Sequence, residues 1–483
     1  MKLKKISTPK TVGDLTYNQF QSRFDVYVDQ DHKPFAVERR TNRILRPLKS
    51  DMSIAIRNLH FEKGGGTLSF KDVNDAYATI TAQMHLCNDV RIIAKQIHFD
   101  GKDIYCNLGK SVAHITKDSV TMLDKRQLDF FFKQDSGSHL HAIPDLNTSP
   151  DKLPKLLGDF FNLSSEQGIL LYTYIITCFL PQINHPALFL HGAQGSAKST
   201  ALRMLKRIIE PNGKDLFALP RKDEDLFSVL SNNYFVPFDN ISRISKGFSD
   251  ILCQAVTNGS VSKRKLYTDN SETVINLHSI VAISGVEMSI TRSDLIDRSI
   301  TIMLSRITEN NRKTENEIWQ RFHETLPYIM GAIFNALSGA IAMYPNVNLK
   351  QKFRMADFVV WGYCVAENIY KNGGELFLNT YSDNIKRSSA SLIGANPLLF
   401  AVSTLMEAQN EWKGTPTELL MDVDKAYHEN SLADKIPYGF PTNAIILSKQ
   451  LALLQSDLKS IGITVEFGRG KNRYIMLEKE TKQ

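Results

Sequence analysis

The spacing of apolar positions changes along the 483-residue chain, and each change predicts an element. Residues 187–190 form an unbroken apolar run opened by Pro186, too short for a helix and suited to a buried parallel strand. Ala201, Leu202, Met204, Leu205, Ile208 and Ile209 then recur at helical spacing. Residues 234–238, 279–284 and the run before Met303 read as further buried strands. Residues 156–180 are mostly apolar and helical, 315–344 read as helices, and 353–370 as a long amphipathic helix beginning with Arg354. Strands alternating with helices predict an α/β core.

The flanks follow other patterns. Before the core, residues 91–97, 103–108 and 119–123 look like short strands, and 69–80 and 127–132 look helical, which makes residues 1–150 an α+β domain. Residues 145–154, rich in Pro, Asn, Thr, Ser and Asp, read as a linker. His139 and His141 lie in a polar stretch and are expected to be solvated, with no ligand cluster nearby. The core itself spans 151–345, followed by a helical segment 346–405 and a last part 406–483. In the last part, helices 417–429 and 444–447 precede a helix 449–460 capped by Ser448. Strands 463–467 and 473–477 follow, joined by the basic turn 468–472. That order predicts a winged helix meeting DNA through Lys449, Lys459, Arg469, Lys471 and Arg473, although many winged helices bind protein instead.

Composition narrows the class. Apolar residues make up 42% and charged residues 23%, as in globular proteins with ample core. Five cysteines without CxxC pairs argue for a reducing cytoplasm and against structural zinc. The basic N-terminus lacks an apolar signal region, and no unbroken run of about 18 apolar residues marks a membrane span. A net charge of +7 is compatible with nucleic acid without identifying it.

The chemistry centres on Gly192, Ala193, Gln194, Gly195, Ser196, Ala197, Lys198, Ser199 and Thr200. Lying between a strand and a helix, they match GxxxxGK[ST], with Ala197 in place of the last glycine. Such a loop curls its N–H groups around phosphates; Lys198 reaches the outer phosphates of ATP, and Ser199 offers its hydroxyl to Mg²⁺. Asp239, ending the strand 234–238, is placed to hold the same Mg²⁺, and Pro237 blemishes that strand. Asn240 follows, where a glutamate would activate the attacking water; an amide orients water but accepts no proton. Lys263, Arg264 and Lys265 sit on the first arm of a hairpin that would grip a phosphate backbone, or else form a solvated cluster. Ser284 ends the strand 279–284, where it would touch the γ-phosphate or the water. Arg298 is the candidate to enter a neighbour's site, against a local salt bridge to Asp294 or Asp297. Arg354 suits a lid arginine reaching the phosphates, or a surface arginine.

Taken together, GAQGSAKST, LPRKDEDL (219–226), FDN (238–240), RKLYTDN (264–270), RSDLIDRS (292–299), RMADF (354–358) and the ending that starts near WKGT carry a resemblance. From about residue 150 onward the chain resembles the AAA+ ATPases of bacterial mobile elements, the phage- and island-type replication helicases. These include the self-loading helicases of staphylococcal pathogenicity islands. The resemblance implies a P-loop AAA+ core and a hexameric homo-oligomer that hydrolyses ATP while translocating on single-stranded DNA. It also implies a pre-sensor-1 hairpin at Lys263–Lys265, sensor 1 at Ser284, an arginine finger at Arg298 and sensor 2 at Arg354. The winged helix would hold duplex or origin DNA, and host or element replication proteins are further expected partners. No paired acidic motif supports a fused primase. Two other readings stay open: an initiator or loader that assembles with ATP without unwinding, and a nucleotide-switched DNA-binding regulator.

Overall fold

The computed structural model describes residues 12–133, 140–211, 213–242, 244–257, 259–264, 272–277, 279–285, 292–308, 312–430, 440–469 and 473–479. The chain divides into two compact units. One comprises Met1–Thr116, Val120–His141 and Pro211–Gly213; the other comprises Lys117–Ser119, Ala142–Glu210 and Lys214–Gln483.

In the first unit, an antiparallel sheet of Phe24–Val28, Pro34–Glu38 and Ile44–Leu45 packs with helices Val12–Arg23, Lys49–Glu62 and Phe70–His85. Phe20, Val26, Met52, Ile56, Ile80 and Met84 are buried between them. Ser69 caps the third of these helices, its hydroxyl accepting from the Asp72 N–H at 3.2 Å. An antiparallel meander follows: Ile97–Phe99, Ile104–Asn107, Ser111–Ile115 and Val120–Asp124. The helix expected over 127–132 is absent. A single turn Lys125–Gln127 leads instead to strand Phe131–Phe132, because Phe130 and Phe132 both enter a small core with Ala94 and Val112. His141 is enclosed at 6% exposure rather than solvated, and His139 lies outside the described residues.

The second unit is built on helix α1 (Ser165–Thr177), strand β1 (Ala187–His191), helix α2 (Lys198–Ile209), strand β2 (Phe235–Phe238), strand β3 (Ile280–Gly285) and strand β4 (Ser299–Met303). The four strands are parallel in the order β2-β3-β1-β4. Their residues are almost all buried, which explains the unbroken apolar runs. The two edges are closed differently. On β2, the Phe217 N–H donates to the Pro237 carbonyl at 2.9 Å and the Asp239 N–H donates to Phe217 at 3.0 Å. Pro237 is therefore on an edge strand, where its missing donor does little harm. On β4, the Asn384 amide pairs with Thr301 like a one-residue strand, accepting from its N–H at 3.1 Å and donating to its carbonyl at 2.6 Å.

Three long helices complete the unit: α3 (Glu315–Met343) packs on α4 (Ala356–Ile369), α4 on α5 (Gly373–Ala395), and α5 against β4. The span Glu315–Asn346 is long and apolar enough to cross a membrane, although no unbroken apolar run marks it. Its Phe322, Ile329, Ile333, Phe334 and Leu337 are buried within the unit. The stretch that reads as a linker docks on α3. A β-carbon on Gly331 would lie 1.9 Å from the Asp145 carbonyl, and the Asn335 amide donates to Leu146 and Thr148, both at 2.9 Å. Helix α4 is amphipathic, burying Phe358, Trp361, Val365 and Ile369 while Asp357, Tyr363 and Glu367 line its less buried face, but Arg354 precedes it instead of opening it.

At the C-terminus lie β5 (Glu411–Gly414), α6 (Pro416–Asn430), α7 (Ala444–Leu453), α8 (Gln455–Ser460), β6 (Ile463–Arg469) and β7 (Arg473–Lys479), with sheet order β5-β7-β6. Ser448 does not cap a helix. Asn443 caps α7, accepting from Ile445 and Ile446 at 3.1 and 2.9 Å, while the Ser448 hydroxyl donates back to the Ala444 carbonyl inside it. The break falls at Leu454, between α7 and α8.

One buried ion pair ties α2 to β2. The Lys206 ammonium, fully buried, donates to Glu210 and to the Phe235 carbonyl, each at 2.7 Å. The Glu210 carboxylate also accepts from the N–H groups of Tyr234 and Phe235 at 3.0 and 2.8 Å. Glu210→Ala is expected to cost about 3–5 kcal/mol, because it strands a buried ammonium and two buried N–H groups. Urea unfolding measures this, with Lys206→Met/Glu210→Leu expected to lie closer to wild type.

Candidate functional site

The first turn of the loop needs a glycine. Gly192, at φ +151°, has the Leu304 carbonyl 2.4 Å from the place of a β-carbon. Gly195 lies at φ +82° and Ala197 at φ +60°, both left-handed. A residue with a β-carbon spends roughly 1–2 kcal/mol in that conformation, so Ala197 fits at a cost that glycine would avoid. No side chain caps α2, so the N–H groups of its first turn, including Ser199 and Thr200, are directed out of the helix as an anion site requires. Lys198 turns into the loop, its ammonium donating to the carbonyls of Gly192 at 2.8 Å and Ala193 at 3.0 Å and to the Ser196 hydroxyl at 3.4 Å. Burial, then the Lys198 charge, holds the neighbouring His191 imidazole below its usual pKa.

Sheet order brings three further residues to the same edge. Because β3 lies between β1 and β2, Ser284 at its C-terminal end stands between the loop and Asp239. The buried Ser284 hydroxyl donates to the Asp239 carboxylate and accepts from the Asn240 N–H at 3.1 Å. Asn240 is left-handed at φ +57°, and its side chain is exposed. Asparagine tolerates that conformation better than glutamate, a physical reason for an amide here.

The opposite side of the loop is formed by the connector that follows β4. Its Leu304 N–H donates to the His191 carbonyl at 2.9 Å, and Ser305 exchanges hydrogen bonds with Asn162. Between the connector, the 158–162 segment and α2 lies a cavity of ≈ 810 Å³ that reaches Gly195, Ala197 and Thr200. Arg306, Arg312 and Lys313 line it, together with Phe161, Met204 and Ile318. None of these cations stood out in the sequence, because they flank no recognised motif and lie far along the chain from the loop.

Arg354, expected to reach the phosphates of its own chain, and Arg298, expected to enter a neighbour's site, both lie away from this loop. Arg298 precedes β4, and its carbonyl accepts from the Ala187 N–H at the start of β1. It therefore sits at the sheet edge opposite the loop, paired with the Asp294 carboxylate and donating to its carbonyl at 2.8 Å. Arg354 joins it there, 2.9 Å from Asp294 and 3.0 Å from Asp297. Burial pulls the Asp294 carboxyl up, yet its bond to Arg298 and the nearby Arg354 hold it below the usual range. In Asp297 burial prevails, and its carboxyl stays above that range. Lys263 and Arg264 lie on strand Ser260–Arg264 of a hairpin with Glu272–Asn276, while Lys265 and Lys471 fall outside the described residues. Lys449, Lys459, Arg469 and Arg473 are exposed, the last two facing each other across the end of the β6–β7 hairpin.

A family model described as actinomycete integrative conjugative element replication protein matches residues 153–370, and one described as the AICE RepA C-terminal domain matches residues 398–483. No curated protein matches the chain. Among solved structures, the chain is similar to the A-form apo structure of the NrS-1 C-terminal region, at 14% identity and TM-score 0.42, covering 96% of this chain and 98% of that one. It is also similar to an apo structure of that region at 12% identity and TM-score 0.41, covering 98% and 100%. Together the two family matches support a replication protein of a mobile element.

Two substitutions probe the loop's edge. Ser284→Ala removes a donor from Asp239 and an acceptor from Asn240, and is expected to lower stability by about 1–3 kcal/mol in denaturant titration. Asn240→Glu, although it adds a carboxylate, is expected to lose about 1 kcal/mol of stability, whereas Asn240→Gly leaves the unfolding midpoint unchanged.

Proposed function

We propose that the protein is an ATP-dependent replicative DNA helicase of a mobile element, acting in the cytoplasm on a P-loop AAA+ core with a C-terminal winged helix. The observation that carries this reading is the convergence of the Lys198 loop, Asp239 and Ser284 on one edge of a parallel sheet. The donor set fits the ligand: an uncapped helix N-terminus and a lysine suit phosphates, and the hydroxyl of Ser199 with the Asp239 carboxylate are hard oxygen ligands of the kind Mg²⁺ takes. Mg²⁺ would neutralise charge on the phosphates. Lys198 would turn from its loop carbonyls to the β- and γ-phosphates. Ser284 would keep the Asp239 carboxylate aimed at the metal.

A ring, hexameric in the family that the sequence resembles, gives Arg298 a role. Far from its own loop, it serves a neighbour's nucleotide after release from Asp294. Single-stranded DNA would pass by the hairpin bearing Lys263 and Arg264, and duplex DNA would meet Lys449, Arg469 and Arg473.

A second reading, an ATP-switched initiator or loader, draws support from Asn240, which cannot take a proton from water. One experiment separates them. Wild type is expected to hydrolyse ATP and open forked DNA, and Lys198→Ala to reduce both by roughly 100-fold or more. Hydrolysis and DNA binding without strand opening favour the initiator; robust opening by Lys198→Ala removes the assigned site.

A further inference from the structure

The central strands divide the surroundings of the phosphate loop into two sides. Asp239 and Ser284, from β2 and β3, stand on one side of β1; the connector after β4 stands on the other. Metal and attacking-water chemistry belong to the carboxylate side. The rest of a nucleotide, running away from that chemistry, must leave toward β4, where the cavity of ≈ 810 Å³ opens from the loop. The cavity combines an apolar wall at Phe161, Met204 and Ile318 with cations, as a base and its phosphates need.

Among those cations, Arg312 is the one placed at the loop itself. A guanidinium nitrogen stands 3.8 Å from the position of a β-carbon on Gly195. Arg203 and Arg321, on the same wall, are already paired with Glu315 and Asp159. Among the described residues no carboxylate forms an ion pair with Arg312. Arg354, the arginine that the sequence assigns to the phosphates, is occupied by Asp294 and Asp297 at the opposite edge of the sheet.

We infer that Arg312 is the cation that grips the nucleotide from within the same chain, contacting the phosphates nearest the ribose, so that it holds ATP and ADP alike. The inference rests on the phosphate-loop reading above and adds a residue and a side to it. A planar guanidinium suits this task because it presents paired donors to phosphate oxygens, and Arg312 stands two residues before Thr314, which caps α3 with a reciprocal pair of hydrogen bonds to Glu317. A residue gripping the terminal phosphate would instead discriminate ATP from ADP.

Fluorescent N-methylanthraniloyl ADP and ATP, titrated into the full chain, test this. Arg312→Ala is expected to weaken both by roughly 10- to 100-fold, with Arg312→Lys recovering part of the loss. The thermal midpoint without nucleotide is expected to stay at the wild-type value, since Arg312 is exposed. Unchanged ADP binding in Arg312→Ala overturns the inference, as does a loss confined to ATP or an equal loss in Arg354→Ala. Lys198→Ala serves as the separate control. If it binds both nucleotides as wild type does, the phosphate-loop reading itself fails; if it alone loses them, only the role of Arg312 falls.

Discussion

The Leu304 carbonyl stands so close to Gly192 that no side chain fits between them. That contact joins the exit of β4 to the exit of β1. The Leu304 N–H already extends the β1–β4 ladder onto the His191 carbonyl, so the loop begins where two strands are still paired. The conformations that follow depend on this start. Gly195 and Ala197 both adopt left-handed backbone, and the chain turns tightly enough to bring the Lys198 ammonium back onto the carbonyls of Gly192 and Ala193. Two residues beyond the same contact, Arg306 reaches the cavity, which Arg312 also lines.

Rigidity on the other side has a different origin. Ser284 is one buried hydroxyl with two partners, a carboxylate and an N–H, so its rotamer is fixed and so is the orientation of Asp239. Behind the sheet, the Lys206–Glu210 pair ties the helix that follows the loop to the strand that carries Asp239. Displacement of α2 is thereby passed to β2 through charged groups that have no solvent to fall back on. A loop, a carboxylate and the helix between them are coupled by a handful of buried polar atoms.

What the sequence discloses and what it hides follow from the range of the interactions. The strand, loop and helix around Lys198 are legible because each is specified by contiguous residues, and the run 234–238 with its terminal Asp239 for the same reason. Arg312 is invisible because nothing local marks it; its approach to Gly195 joins residues far apart in the chain. The helix expected over 127–132 fails because two alternating phenylalanines found a core that the local pattern does not reveal. Asn443 outcompetes Ser448 as a cap because its side chain accepts from two N–H groups, while the serine hydroxyl turns back into its own helix.

Parallel strands constrain the arginines in a way that composition does not. Because β1 and β4 run the same way, the residue that enters β4 and the loop that leaves β1 are separated by the full strand, on the order of 15 Å for five residues. Arg298 therefore cannot serve the loop of its own chain without dismantling the sheet, and Arg354, bound to the same carboxylates, is held at that distant edge too. Within one chain, Asp294 satisfies both guanidinium groups and is itself held below its usual pKa by them, so the cluster is a stable resting arrangement at neutral pH. In the ring reading, a neighbour's phosphates must compete with that carboxylate for Arg298. The competition would make engagement of the arginine depend on nucleotide in the adjacent subunit, while Arg312 would act within its own. Two cations from opposite edges of one sheet would thus divide the work, one for holding the nucleotide and the other for sensing it across an interface.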